Sequence, residues 1–267
     1  HALDGTYFDW NVALYCHNTR HVAGREQDEL VPGNGDWALS PAGHWDMDEL
    51  LELMAWTRRR VGPDGLMIVH NTMVPMAATE NFANGVVAME WGYSRLASGA
   101  PDLSDLPLEW TFMGHRARGV IGYGCLEQGA PERVHRQMTV RALLSGVAPW
   151  PVDDLALDMA APLRSRDLSR YRFLAPGLTG EWPADPQAAL ALYHCPSEVV
   201  VLVGNLAAQR RTVRCRVDLS STSLPPAPEY RVLTPTGPVS LSADQLRRQG
   251  VEVPVDGDGL AAVTIGT

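Results

Sequence analysis

The sequence predicts a chain in two structural parts: an α/β segment over residues 1–180, then an antiparallel β-sandwich over residues 185–267. Three observations carry this reading. Up to about residue 180, short apolar runs, most of them opened by glycine, alternate with stretches of helical periodicity, as the strands of a helix-covered parallel sheet do. Beyond Pro183 the helical pattern gives way to short strands split by Pro- and Gly-rich turns. The composition is globular, with 45% hydrophobic and 20% charged residues among 267, which suffices for a sizeable core.

Taken in order, Asp4-Gly5-Thr6-Tyr7-Phe8-Asp9-Trp10 is a turn leading into an aromatic, β-prone run that ends in an acid. A long loop rich in Gly, Pro and Asn (residues 16–45) follows. A helix from about Asp46 to Val61 is signalled by Met47, Leu50, Leu51 and Met54 at helical spacing. Its acidic start and its Arg58-Arg59-Arg60 end suit the two poles of the helix dipole. Pro63-Asp64-Gly65 breaks the chain ahead of Leu66-Met67-Ile68-Val69-His70-Asn71, an apolar run with polar residues at its end. Asn84-Gly85 then leads into Val86-Val87-Ala88-Met89-Glu90, and Arg118-Gly119 into Val120-Ile121-Gly122-Tyr123-Gly124-Cys125. Pro131 stands where the first turn of a helix tolerates it, and that helix runs to about Leu144, with Gly146 as its stop. A second helical segment is expected around Arg164 to Leu174, before Pro176-Gly177.

In the tail, Ala189–Tyr193 and Val199–Val203 read as strands joined by a Pro-Ser turn. The segment Thr212–Leu219 alternates apolar and polar residues, as a half-exposed strand does. Tyr230–Leu233, Val251–Val253 and Ala262–Ile265 complete the set, and the Pro-rich stretch Leu224–Pro228 is an inter-strand loop. Cys195 and Cys215 lie in this β-rich region and either pair or stay as buried free thiols. Cys16 and Cys125 read as packed thiols.

Charge and motif content exclude several functions. All 22 basic residues are Arg, and against 31 acidic residues they give a net charge of −9. A phosphate backbone needs a concentrated positive field, so nucleic acid is not expected as a partner. The longest aliphatic run, Val199–Val203, is far below the ~20 residues that span a bilayer, so no membrane association is expected. No cofactor is expected either. Gly122-Tyr-Gly lacks the rest of a dinucleotide fingerprint, a Gly-Lys-Ser/Thr loop is impossible without Lys, and there is no Gly-x-Ser-x-Gly elbow. No Cys-x-x-Cys pair suggests a zinc ribbon. His17 and His21 have the i, i+4 spacing of a metal pair, but no acid follows His17 as a zincin-type motif requires, so no metal is assigned.

Polar residues collect at the ends of the candidate strands: Asp9-Trp10, His70-Asn71, Glu90-Trp91 and Cys125-Leu126-Glu127. In an α/β barrel those ends converge on one mouth, where the active site lies. Paired carboxylates are what glycosidic-bond cleavage uses, one attacking the anomeric carbon or activating water, the other protonating the leaving oxygen. Trp beside each acid suits a sugar, whose C–H face packs on an indole while its hydroxyls bond Asp, Asn and His. The same residues have plainer readings. Asp9 could cap a helix or bond loop amides, Glu90 could pair with an Arg, and Glu80-Asn81 could be an ordinary helix-to-strand connection. His70 and Asn71 could satisfy loop backbone.

Asp4-Gly-Thr-Tyr-Phe-Asp-Trp, Leu66-Met-Ile-Val-His-Asn and Glu80-Asn-Phe-Ala-Asn-Gly-Val-Val-Ala-Met-Glu resemble the later strands of barrel-type glycoside hydrolases. The likeness is to glycoside-hydrolase-like proteins related to the α-galactosidase and endo-α-N-acetylgalactosaminidase clans, and it covers residues 1–178 in pattern. It implies a partial (β/α)8 TIM-type barrel, later strands only, followed by the β-sandwich that these enzymes commonly carry. It also implies a retaining glycosidase in which Asp9, as the acid closing the fourth strand, is the nucleophile and Glu90, from a later strand, is the acid/base. Glu80 and Glu127 remain rivals for the second role. Trp10, His70, Asn71 and Trp91 would shape the sugar subsite together with Glu80 and Glu127. Glu90 would then be held protonated near neutral pH by Trp91 and a charged neighbour. The alternatives are a non-catalytic carbohydrate-binding or scaffold protein with a degenerate barrel, and a metal-dependent hydrolase using His17, His21 and an acid.

Length sharpens the expectation. A complete eight-stranded barrel takes about 250 residues, and only four or five barrel-type strands fit ahead of the sandwich. The chain is therefore expected to be the C-terminal part of a longer enzyme, forming an open half-barrel without activity of its own. It opens at His1 with no initiator Met, so a leader or longer segment is expected before it. The compartment stays open, with a secreted or periplasmic location slightly favoured. Sugar, anomeric configuration, exo or endo action and oligomeric state are not encoded in any motif.

Overall fold

The first strand of the chain, β1 (Gly5–Phe8), opens with glycine for a steric reason. A Cβ on Gly5 would lie 2.5 Å from the carbonyl oxygen of Leu66 in the strand beside it. The computed structural model of the protein describes residues 4–9, 15–16, 44–45, 47–70, 77–88, 103, 121–125, 131–150, 153–176, 185 and 187–267. It divides into two units, His1–Val86 and Val87–Thr267.

In the first unit β2 (Tyr15–Cys16) and β3 (His44–Trp45) form a two-residue antiparallel ladder. Helix α1 (Met47–Val61) follows, carrying Asp48 and Glu49 in its first turn and Arg58, Arg59 and Arg60 in its last. The chain returns as β4 (Leu66–His70), which pairs in parallel with β1 from Gly5↔Leu66 to Phe8↔Val69. A short helix, α2 (Ala77–Glu80), precedes β5 (Gly85–Ala88). Met54, Met67, Val69 and Val86 are fully buried. Arg58 does more than complement the dipole. Its guanidinium donates to Asn84 Oδ1 at 2.7 Å, to the Gly65 carbonyl at 2.6 Å and to the Gly62 carbonyl. Asn84 Oδ1 also accepts the Met67 amide at 2.9 Å, so Arg58 ties the end of α1 to β4. Arg58→Ala is expected to destabilise the chain by about 1–3 kcal/mol, through lost bonds to a charged donor, read as a lower urea midpoint with unchanged slope.

The second unit contains a β-α-β crossover. β6 (Ile121–Cys125) and β7 (Ala148–Trp150) pair in parallel across α3 (Glu132–Leu144). Pro131 is the N-cap of α3, one position ahead of the first turn expected for it, and Gly146 at φ 70° ends its last turn as the sequence predicts. The expected helix around Arg164–Leu174 is not formed. Helices α4 (Asp154–Met159) and α5 (Ala161–Arg164) lie earlier, opened by the Asp153 cap and by Pro162 in a first turn. After a single 3-10 turn at Leu168–Arg170, the segment Arg172–Leu174 becomes strand β8. Its aromatic residue Phe173 packs against Tyr193 with ring centroids 5.0 Å apart and the rings tilted by 57°, a cross-strand contact with no counterpart in local propensity.

The tail is antiparallel throughout. A six-stranded sheet runs in the order β13 (Gly237–Leu241), β12 (Tyr230–Thr234), β15 (Gly259–Gly266), β10 (Glu198–Asn205), β9 (Ala188–Cys195), β8. A second ladder joins β11 (Arg211–Cys215) to β14 (Val251–Val255). One face of the large sheet, with Leu190, Leu192, Val201 and Val263, packs on Val213, Val253 and Val255 of that ladder. The other, with Ala189, Ala191, Tyr193 and Leu202, packs on Val140, Leu143 and Leu144 of α3. Both faces being covered, β9 and β10 are apolar almost without interruption, whereas β11 alternates. β13 and the short helix α6 (Ala243–Arg248), which plugs Leu246 into the core, add to the predicted elements. Cys195 and Cys215 are free and buried, and burial pushes the Cys215 thiol up to about 12.

Polar ties lock α3 to distant chain. Buried Gln137 accepts the Leu103 amide at 2.9 Å and donates to Asp258 at 3.1 Å. Arg133 donates to the same Asp258 at 2.9 Å, and Arg141 to the Leu103 carbonyl at 2.8 Å. Elsewhere Arg166 grips Glu198 with two bonds, of 2.8 and 3.0 Å, and Tyr171 donates to the same carboxylate.

Glu198 and His194 are two of the groups that make this unit sensitive to acid. The Arg166 bond holds the Glu198 carboxyl below its ordinary range. Burial, helped by Arg172, holds His194 below its ordinary value, and its Nδ1 accepts the Ser223 amide at 3.0 Å. Below about pH 6.5 the unfolded His194 takes up a proton that the folded one resists. Its contribution is therefore full above that pH and is lost as pH falls toward the folded value. Glu198 behaves alike one step lower, its contribution being full above about pH 4.3 and lost as pH falls through its depressed folded value. The urea midpoint is expected to decline in two stages on acidification, and His194→Gln should remove the earlier one.

Candidate functional site

Strand polarity positions the first candidate group. Because β1 and β4 run parallel with Phe8 opposite Val69, the next residue of each, Asp9 and His70, meet at the carboxyl ends of the two strands. Asp9 Oδ1 lies 2.9 Å from His70 Nδ1. The two side chains differ in environment: that of His70 is 8% exposed and that of Asp9 60%. A shielded imidazole therefore holds one oxygen of a carboxylate that reaches solvent. Tyr7 stands two residues before Asp9, and the period-2 alternation, carried one residue past the end of β1, turns both the same way. Its phenol oxygen lies 2.8 Å from the same Nδ1, with the two rings 6.1 Å apart and tilted by 39°.

Tyr7 was not among the residues singled out from the sequence, although the i, i−2 relation to Asp9 would have identified it. Glu80 ends α2 and is fully buried, its carbonyl accepting the Ala83 amide at 2.9 Å. Trp10, Asn71, Glu90, Trp91 and Glu127 lie outside the described residues, as do His17 and His21. Among the described residues no group of three or more His, Cys, Asp or Glu is arranged to hold a metal ion.

In the second unit β7 is also followed by an acid, Asp153. One of its oxygens caps α4 by accepting the Ala156 amide at 2.8 Å, and the other lies 3.1 Å from His135 Nε2. Asp153 is thus occupied in holding the start of a helix, which is the structural role a strand-end acid has when it is not a site residue.

No protein-family model matches the sequence, and no curated protein matches it at a significant level. The fold is similar to that of solved glycoside hydrolases. A noncanonic maltogenic α-amylase from Thermotoga neapolitana superposes with a TM-score of 0.52 at 13% identity, over 81% of this chain and 59% of that one. A GH27 β-L-arabinopyranosidase from Geobacillus stearothermophilus gives 0.52 at 10% identity, over 83% and 55%. An α-amylase from Geobacillus thermoleovorans, solved with acarbose, gives 0.50 at 11%, over 81% and 57%. The chain thus spans between 55% and 59% of the length of these structures. At such identities the likeness shows a glycoside-hydrolase-like fold, mixed α/β with parallel strands and a C-terminal antiparallel part.

Proposed function

We propose that this chain carries the later strands and β-sandwich of a retaining glycoside hydrolase, with residues 1–180 contributing to the barrel and 185–267 forming the sandwich. The observation that supports this best is the Asp9–His70 pair, a solvent-reaching carboxylate held by a buried imidazole 2.9 Å away at the carboxyl ends of paired parallel strands. That is where barrel enzymes keep their chemistry.

In this reading an oxygen of Asp9 bonds to the anomeric carbon as the glycosidic bond breaks, and the departing oxygen takes a proton from Glu90. Glu90, now a carboxylate, removes a proton from a water that attacks the same carbon and frees Asp9. His70 orients Asp9, while Trp10, Asn71, Trp91 and Glu127 contribute to the sugar subsite. The substrate is a carbohydrate, and the chemistry needs no cofactor. A panel of aryl glycosides and natural glycans, offered to the whole enzyme of which this reading makes the chain a part, tests the proposal, with the first-formed sugar observed by proton NMR. Retention of the anomeric configuration is expected. Inversion would remove the nucleophile role of Asp9. Sugar binding without turnover, unchanged in Asp9→Asn and Glu90→Gln, would instead establish a carbohydrate-binding protein with a degenerate site.

A further inference from the structure

One nitrogen of His70 faces two partners. Tyr7 Oη lies 2.8 Å and Asp9 Oδ1 2.9 Å from Nδ1. In a neutral imidazole each nitrogen is either an N–H donor or a lone-pair acceptor. An ionised Asp9 only accepts, so its contact is favourable only while Nδ1 carries the proton. The Tyr7 oxygen then shares that hydrogen as a second acceptor. Once the charge on Asp9 is gone, the phenol can donate its own hydrogen to a bare Nδ1, and the imidazole proton sits on Nε2. The two arrangements exclude one another.

We propose that Tyr7 is a positioning residue that acts on Asp9 through His70, the phenol and the carboxylate competing for Nδ1. His70 carries its proton on Nδ1 while Asp9 is a carboxylate and on Nε2 when that charge is removed. A proton leaves one ring nitrogen to solvent and another arrives from solvent at the other, so the ring stays neutral throughout. The catalytic meaning of the device rests on Asp9 being the nucleophile. The N–H supports the carboxylate before attack, and Tyr7 takes over the imidazole when that charge is spent. Alternation along β1 is what makes this possible, since it directs residues 7 and 9 at one buried ring.

Long-range proton–nitrogen NMR of the full chain at neutral pH tests this without a substrate, the His70 signals being assigned by their loss in His70→Asn. In the wild type, Nδ1 is expected at the protonated, pyrrole-type position and Nε2 at the bare, pyridine-type position. Asp9→Ala should exchange the two. Tyr7→Phe alone should leave the proton on Nδ1, and in the double variant, with both of these contacts removed, the two nitrogen signals should move toward each other as the tautomers average. A doubly protonated ring or a bare Nδ1 in the wild type would overturn the proposal. So would an Asp9→Ala spectrum with Nδ1 still protonated, or a double variant indistinguishable from Asp9→Ala. If the exchange occurs but the whole enzyme cleaves no glycoside, the competition stands and the glycosidase reading falls. Cleavage without the exchange sinks the role of Tyr7 alone.

Discussion

Asp9→Asn is expected to lower kcat/KM for a cleaved glycoside by about 10⁴-fold or more, as removal of a nucleophile does in enzymes that form covalent intermediates. At 1.36 kcal/mol per decade, that is roughly 5 kcal/mol of lost transition-state stabilisation. The substitution is nearly isosteric, and the Asn amide oxygen can still accept a hydrogen from His70. What disappears is the charge that bonds the anomeric carbon. Since the Asp9 side chain is 60% exposed, the effect on folding should stay within about 0.5 kcal/mol. An unchanged urea midpoint with abolished turnover therefore identifies a chemical role. A comparable fall in both would return Asp9 to its plainer reading as a residue that organises the loop after β1. A fully active variant would remove it from the mechanism.

The second large effect lies in the tail. Leu192→Ala is expected to destabilise the chain by about 2–5 kcal/mol, the range for a buried leucine that leaves a partly collapsed cavity. Leu192 is 1% exposed at the centre of β9, opposite Leu174 in β8 and Val201 in β10. Its side chain belongs to the face packed on the smaller ladder, while its neighbours Ala191 and Tyr193 turn to α3. Urea unfolding should show a lower midpoint with unchanged slope. Leu233→Ala, on an exposed part of β12, should cost less than about 0.5 kcal/mol. A small effect at Leu192 would mean that this face of the sheet is not a packed core.

Both effects trace to features of unequal visibility in the sequence. The uninterrupted apolar runs of β9 and β10 announced strands covered on two faces, and the alternation of β11 announced one covered on a single face. Helices α1 and α3 were legible because proline, glycine and charge mark their ends. Strand β8 was not, since a three-residue strand owes its existence to β9, which lies beyond a Pro- and Gly-containing stretch of sequence. Helix α6 carried a readable signal, the capping box Ser242 to Gln245, in a region dominated by strand patterns. Gln137 and Arg141 could not be foreseen as buried, because their partners Leu103 and Asp258 are remote in sequence. At the candidate site, Asp9 and His70 were legible as strand-end residues, and the parallel register explains their meeting. The competing phenol of Tyr7 needed the geometry of the ring.

The most direct test of the nucleophile and acid assignment is the separation of the Asp9 and Glu90 carboxyl groups in a crystal structure. A retaining pair predicts about 5–5.5 Å across a shared cavity. A spacing of about 6.5–9.5 Å, which leaves room for an attacking water, or carboxyl groups facing apart, would contradict it.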